Sequence, residues 1–98
     1  MTFEQFKYVL EIAKTGSINQ ASNNLFLSQA TLSTSIKNLE GELGQAIFVR
    51  NNRGIQTTPF GRDFISYITP ICAQMTQLEH ICRQQADTSR VTFSVSSN

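Results

Sequence analysis

Short polar side chains recur between Ser28 and Lys37 in a pattern suited to contact with the edges of DNA bases. Gln29 has an amide that can pair in bidentate fashion with adenine, and the neighbouring hydroxyl groups can reach bases or phosphates. The small Ala30 permits close approach, and Lys37 is better placed for phosphate. Each of these residues alone is common on a helix surface, so it is their arrangement that indicates DNA contact. The candidate DNA-contacting residues here are Ser28, Gln29, Ala30, Thr31, Ser33, Thr34 and Lys37.

Two arginines lie in a second polar segment. The stretch from Asn51 to Gly54 has strong turn chemistry, because asparagine and glycine tolerate positive φ. The flanking runs 47–50 and 55–58 are predicted strands. Together they predict a hairpin with Arg50 and Arg53 near its tip, where both suit phosphate contact or minor-groove insertion.

The elements that must position these side chains are predicted by helix caps and apolar spacing. Thr2 and Gln5 form a capping box that begins a first helix, and Gly16 fits its end. A second helix is predicted from Ser17 to about 24–26, and a third from about Ser28 to 43. The apolar stripe of the third helix comprises Leu32, Ile36, Leu39 and Leu43.

Three helices followed by a basic hairpin match the winged helix-turn-helix plan. The fold class is therefore mainly α, with a winged helix-turn-helix domain over residues 1–58. Within it the helix-turn-helix spans about 18–37 and the wing about 47–58.

A long helix over residues 59–86 is predicted to follow, with Thr58 as its cap and Pro59 in its first turn. At ~40 Å it is too long to pack fully on a three-helix domain, which favours a linker and dimerisation helix. A helix folded back on its own domain remains the alternative. Pro70 predicts a kink without a break. The predicted seam begins at Gly61 and continues through Phe64, Ile68, Ile71, Met75, Leu78 and Cys82.

Residues 87–98 are predicted to form a hinge and the first strand of a truncated second domain. The stretch 86–90 is polar and breaks the heptad, and residues 91–97 alternate between apolar and polar. A strand without a partner is not stable alone, so the chain is expected to be a fragment.

The length and composition indicate one small domain with a modest core. The net charge is +1, so DNA affinity is expected to need two copies or another partner. No apolar run approaches the roughly 20 residues of a membrane span, and the N-terminus lacks a secretory signal, which makes the cytoplasm the expected location. No catalytic constellation, metal-ligand spacing or phosphate loop is present, so we expect neither an enzyme nor a cofactor in this segment.

The same segments resemble the LysR-type transcriptional regulators. The resemblance covers residues 1 to about 90, and Ala30 and Thr34 depart from the residues common in that family. It implies a winged helix-turn-helix, dimerisation through the linker helix, and a C-terminal periplasmic-binding-protein-like domain that senses a small molecule. The matching segments are 17–22, Leu25, 28–33, 36–40, 43–44, 48–50 and 58–61.

The resulting hypothesis is a bacterial regulator that binds an interrupted palindrome in double-stranded DNA as a homodimer, with a tetramer expected for the full-length protein. One alternative is a winged-helix protein-interaction module that does not bind DNA. Another is a small regulator without an effector domain.

Overall fold

The computed structural model describes residues 1–88 and places three helices, a hairpin and one long helix along the chain. The mainly helical winged fold predicted from the sequence is confirmed. The predicted strand in 91–97 lies outside the described residues. The elements are α1 (Phe3–Thr15), α2 (Ile18–Leu25), α3 (Gln29–Leu43), β1 (Phe48–Asn51), β2 (Gly54–Thr57) and α4 (Pro59–Thr88).

Local capping fixes the helix boundaries. Thr2 and Gln5 form the predicted reciprocal capping box of α1. The Ser17 hydroxyl accepts from the Gln20 amide at the start of α2. In the turn between α2 and α3, Phe26 adopts the left-handed conformation with φ 60° and is 93% exposed. This backbone geometry, unfavourable for a non-glycine residue, turns the chain into α3.

The core lies where α1, α2, α3 and α4 meet. The predicted stripe of α3 is confirmed, because Leu32, Ile36 and Leu39 are buried and Leu43 packs against them. Its opposite face is therefore left to solvent. The buried cluster contains Val9, Ile12, Ala21, Leu32, Ile36, Leu39, Ile47 and Ile68.

The wing is an antiparallel pair whose strands are shifted by one residue from the prediction. β1 and β2 pair with Phe48 opposite Thr57 and Arg50 opposite Ile55. Ile47 precedes the strand and is fully buried in the core. The Asn51 side chain accepts from the Arg53 amide at 2.8 Å, which closes the turn.

The start of α4 belongs to the core, and this corrects the upper part of the predicted dimer seam. Phe64 contacts Phe6 edge-to-face at 5.9 Å between ring centroids, and Ile68 is only 2% exposed. Gly61 is buried against the backbone of Ile47, so it lies in the domain and not in a seam between chains. These positions pack within their own domain, so they are not available to a second chain.

The rest of α4 extends away from the domain. The helix continues through Pro70 to Thr88, so residues 87 and 88, which were predicted to lie in the hinge, belong to α4. Nothing in the run Ala86-Asp87-Thr88 breaks a helix, which explains the difference. Ile71, Met75 and Leu78 remain 48%, 37% and 45% exposed. No described helix is both long and apolar enough to cross a membrane.

Candidate nucleic-acid interface

The outer face of α3 exposes small and polar side chains. Ala30, Thr31 and Thr34 line one shallow groove together with Ser35 and Asn38. The sequence reasoning identified the first three and missed Ser35 and Asn38, although both follow from continuing the exposed face along the helix. This surface carries no charged or large apolar side chain that would keep a base pair at a distance.

A second line of α3 side chains faces the wing. Gln29, Ser33 and Lys37 are spaced four residues apart and so share one edge of the helix. Gln29 lines a groove of about 380 Å³ with Arg50, while Ser33 and Lys37 line the adjoining groove with the same arginine. The structure thus brings Arg50 together with predicted site residues that lie 13 to 21 positions before it in the sequence.

Strand register explains the direction of Arg50. Arg50 is paired with Ile55, and directly paired residues lie on the same face of a hairpin. Ile55 packs against the core, so this face points towards α3. Val49 and Gln56 occupy the other face and are exposed.

Three predicted cations are free for phosphate. Lys37, Arg50 and Arg53 are exposed, and none makes a salt bridge within the described residues. Arg53 lies at the tip of the wing and does not line either groove beside α3. Its position therefore differs from that of Arg50, which lines both grooves.

Ser28 is the N-cap of α3, as the sequence predicted. Its hydroxyl accepts from the Thr31 amide at 3.0 Å and donates to the Thr31 hydroxyl at 2.8 Å. Both bonds are used to begin α3.

Gln29 has a side-chain partner that the sequence reasoning missed. Its Nε2 donates to Oδ1 of Asn19 at 2.9 Å, joining the first turn of α2 to the first turn of α3. Asn19 also lines the groove that Gln29 and Arg50 share. The sequence offered only one indication of this bond, which is that Asn19 and Gln29 are amides near the starts of successive helices.

The described acidic, histidine and cysteine side chains form no metal-binding cluster. No three His, Cys, Asp or Glu side chains among them lie together as metal ligands would. Burial raises the pKa of the Cys72 thiol, and nearby Lys7 lowers it by less. Cys72 therefore stays protonated at neutral pH and behaves as an apolar core residue.

Comparison with known sequences matches residues 3–62 to the family described as bacterial regulatory helix-turn-helix protein, lysR family. The chain is 34% identical over 79 residues to the nitrogen assimilation regulatory protein nac of Escherichia coli K12. That alignment covers 81% of the chain and 26% of nac. It is also 45% identical over 56 residues to the regulator YwbI of Bacillus subtilis, covering 57% of the chain and 19% of YwbI. The chain thus spans about a third or less of these relatives.

Solved structures share the fold. The BenM DNA-binding domain in complex with catB site 1 DNA superposes with a TM-score of 0.81 at 29% identity. This match covers 88% of the chain and 97% of that domain. Full-length CbnR complexed with its target DNA gives a TM-score of 0.75 at 29% identity, covering 88% of the chain and 29% of CbnR.

Proposed function

The chain belongs to the LysR family of bacterial regulatory helix-turn-helix proteins, and on this premise we propose that it is the DNA-reading part of a dimeric transcription regulator. In this proposal α3 enters the major groove and the wing contacts the adjacent backbone or minor groove. Two α3 helices in a dimer then read the two arms of an interrupted palindrome. No catalytic step is assigned to the chain.

One observation carries the proposal: Arg50 lies in the same groove as Gln29 and in the adjoining groove with Ser33 and Lys37. The Gln29 amide, which can hydrogen-bond to a base edge, therefore lies near two cations, Arg50 and Lys37. These cations can contact the phosphates of the DNA backbone. Sequence-specific binding requires both kinds of contact, and here they occupy one surface.

The exposed apolar stripe of α4 supports the dimer. Ile71, Met75 and Leu78 recur at helical spacing and are each more than a third exposed. Tyr67 and Ile81 widen the stripe and are 74% and 44% exposed. Cys82, half-buried, completes the lower seam. A second α4 packed against this stripe would remove the apolar surface from water.

Several features of the whole regulator extend this proposal. A small-molecule effector would bind a C-terminal domain outside residues 1–88, and a tetramer would form through that domain. The location would be the bacterial cytoplasm, where the DNA is. No cofactor is proposed for the described residues.

The net charge of +1 favours one competing function, a winged-helix module that binds protein and not DNA. Titration of a fluorescent random duplex with the chain at several salt concentrations separates the two. For a DNA-binding domain, the logarithm of the affinity falls linearly with the logarithm of the salt concentration, because phosphate contacts release counterions. Absence of binding at low salt, where such affinity is greatest, would reject the proposal.

A further inference from the structure

The bond between Asn19 and Gln29 joins the two helices of the helix-turn-helix at their amino-terminal ends. The Gln29 Nε2 donates to the Asn19 Oδ1 at 2.9 Å, and both residues are exposed. It is a bond between side chains that are not needed for the core or for a helix cap. Such a contact on an exposed face orients a side chain and does little for the fold.

The backbone beneath Asn19 is held in place. The Ser22 hydroxyl, in a residue 2% exposed, donates to the Asn19 carbonyl oxygen at 2.8 Å. The neighbouring Ile18 packs against the core. Asn19 therefore presents its amide oxygen from an anchored backbone through two side-chain torsions, whereas the longer Gln29 has three to be ordered.

The bond leaves Gln29 with the groups that adenine requires. A glutamine amide has two N–H donors and one oxygen acceptor, and Asn19 engages one of the donors. The remaining donor and the Oε1 match the N7 acceptor and N6 donor on the major-groove edge of adenine. We propose that Asn19 is a positioning residue that holds the Gln29 amide in the orientation that reads one adenine. This inference rests on the proposed function.

A thermodynamic cycle tests it. A duplex that binds the 98-residue chain is first selected from a random pool. Each base pair of that duplex is then substituted in turn, to find the pair at which the wild-type chain discriminates between bases and Gln29→Ala does not. Asn19→Ala is expected to lower the preference at that pair about 2- to 10-fold, the range for one net hydrogen bond. Asn19→Ala should have no further effect in the Gln29→Ala background, because its action passes through Gln29.

Two variants separate positioning from a structural role. Asn19→Asp can still accept from Gln29, so it should keep the base preference even if its negative charge weakens overall affinity. Asn24→Ala is the matched control, because Asn24 is an amide on the same helix whose side chain bonds to Glu11 and Gln20. It should leave the preference unchanged.

A spectrum of the free chain supplies a second readout. The Gln29 side-chain amide resonances should shift in Asn19→Ala and remain near their wild-type positions in Asn19→Asp. Independent, multiplicative effects of Asn19→Ala and Gln29→Ala on base preference would overturn the inference and indicate direct DNA contact by Asn19. A wild-type chain that enriches no duplex would instead overturn the proposed function, and this inference with it.

Discussion

The carboxylate of Glu40 in α3 accepts a hydrogen bond from the backbone amide of Ile47 at 2.7 Å. The same oxygen accepts from the Phe48 amide at 3.1 Å, at the first residue of the wing. Hydrogen bonds to charged groups contribute about 1.5–3 kcal/mol to stability. One side chain thus joins α3 to the wing, which fixes the distance between the two surfaces proposed to contact DNA.

Glu40→Ala should lower the free energy of unfolding by about 2–4 kcal/mol, because two partly buried amides lose their acceptor. Glu40→Gln should cost less, since a neutral amide oxygen still accepts. Urea unfolding measures both. Glu42→Ala is the control, because Glu42 makes an exposed ion pair with the N-terminus, worth at most about 1 kcal/mol. Equal costs for Glu40→Ala and Glu42→Ala would contradict the assignment.

Gly61→Ala should destabilise the fold. A Cβ at Gly61 would overlap the Ile47 carbonyl oxygen and lie 2.8 Å from the Thr57 Cγ2, so α4 would have to move. Overpacking of this kind costs about 1–3 kcal/mol. At Gly41, also helical, nothing lies within 4 Å of such a Cβ, and Gly41→Ala should stabilise by up to about 1 kcal/mol. Thermal unfolding of the pair shows whether the effects have opposite signs.

Gln29→Ala should lower discrimination between an enriched duplex and random DNA more than it lowers general affinity. The amide is proposed to read a base, and a base contact contributes little to non-specific binding. Fluorescence anisotropy with both duplexes gives the ratio. Gln45→Ala, an exposed amide beyond the end of α3, should leave it unchanged. A uniform loss on both duplexes would remove Gln29 from base reading.

Arg53→Ala should weaken binding to all duplexes and reduce the slope of log affinity against log salt by about 1, as expected for one lost phosphate contact. The tip of the wing leaves this cation exposed and without an ion pair among the described residues. Lys14→Ala removes an exposed cation at the end of α1 and should not change the slope. An unchanged slope in Arg53→Ala would exclude the contact.

Ile71→Asp should convert the dimer to a monomer in sedimentation velocity, because it would bury a charge in the α4 seam. The side chain is 48% exposed in one protomer, so the protomer should still fold. Thr76→Asp introduces the same charge on the opposite side of α4, where Thr76 lines a groove with Leu10. It should remain dimeric. A dimer that persists in Ile71→Asp would reject the seam.

Features set by neighbours in sequence could be predicted. The Thr2–Gln5 box, the Ser28 cap and the apolar stripe from Leu32 to Leu39 depend on spacing within one helix. The wing could be placed to within one residue, because Asn51 and Gly54 have strong turn preferences.

Features that depend on contacts between segments distant in sequence could not be predicted. The heptad in α4 is continuous in sequence, yet Ile68 faces the core and Ile71 faces solvent. Periodicity alone does not show at which residue of α4 the apolar face changes from packing in the core to lying in solvent. In the candidate site, spacing predicted Gln29 and Arg50, but their shared groove and the Asn19 bond arise only from packing of α2, α3 and the wing.

The central claim is that this chain reads a DNA sequence through paired α3 helices. The most direct test substitutes base pairs one at a time across the enriched duplex and measures Kd at fixed salt. The account predicts losses of about 1–3 kcal/mol at pairs confined to two symmetric arms, with little loss between them. Equal affinity for the enriched duplex and a shuffled duplex of the same composition would contradict it.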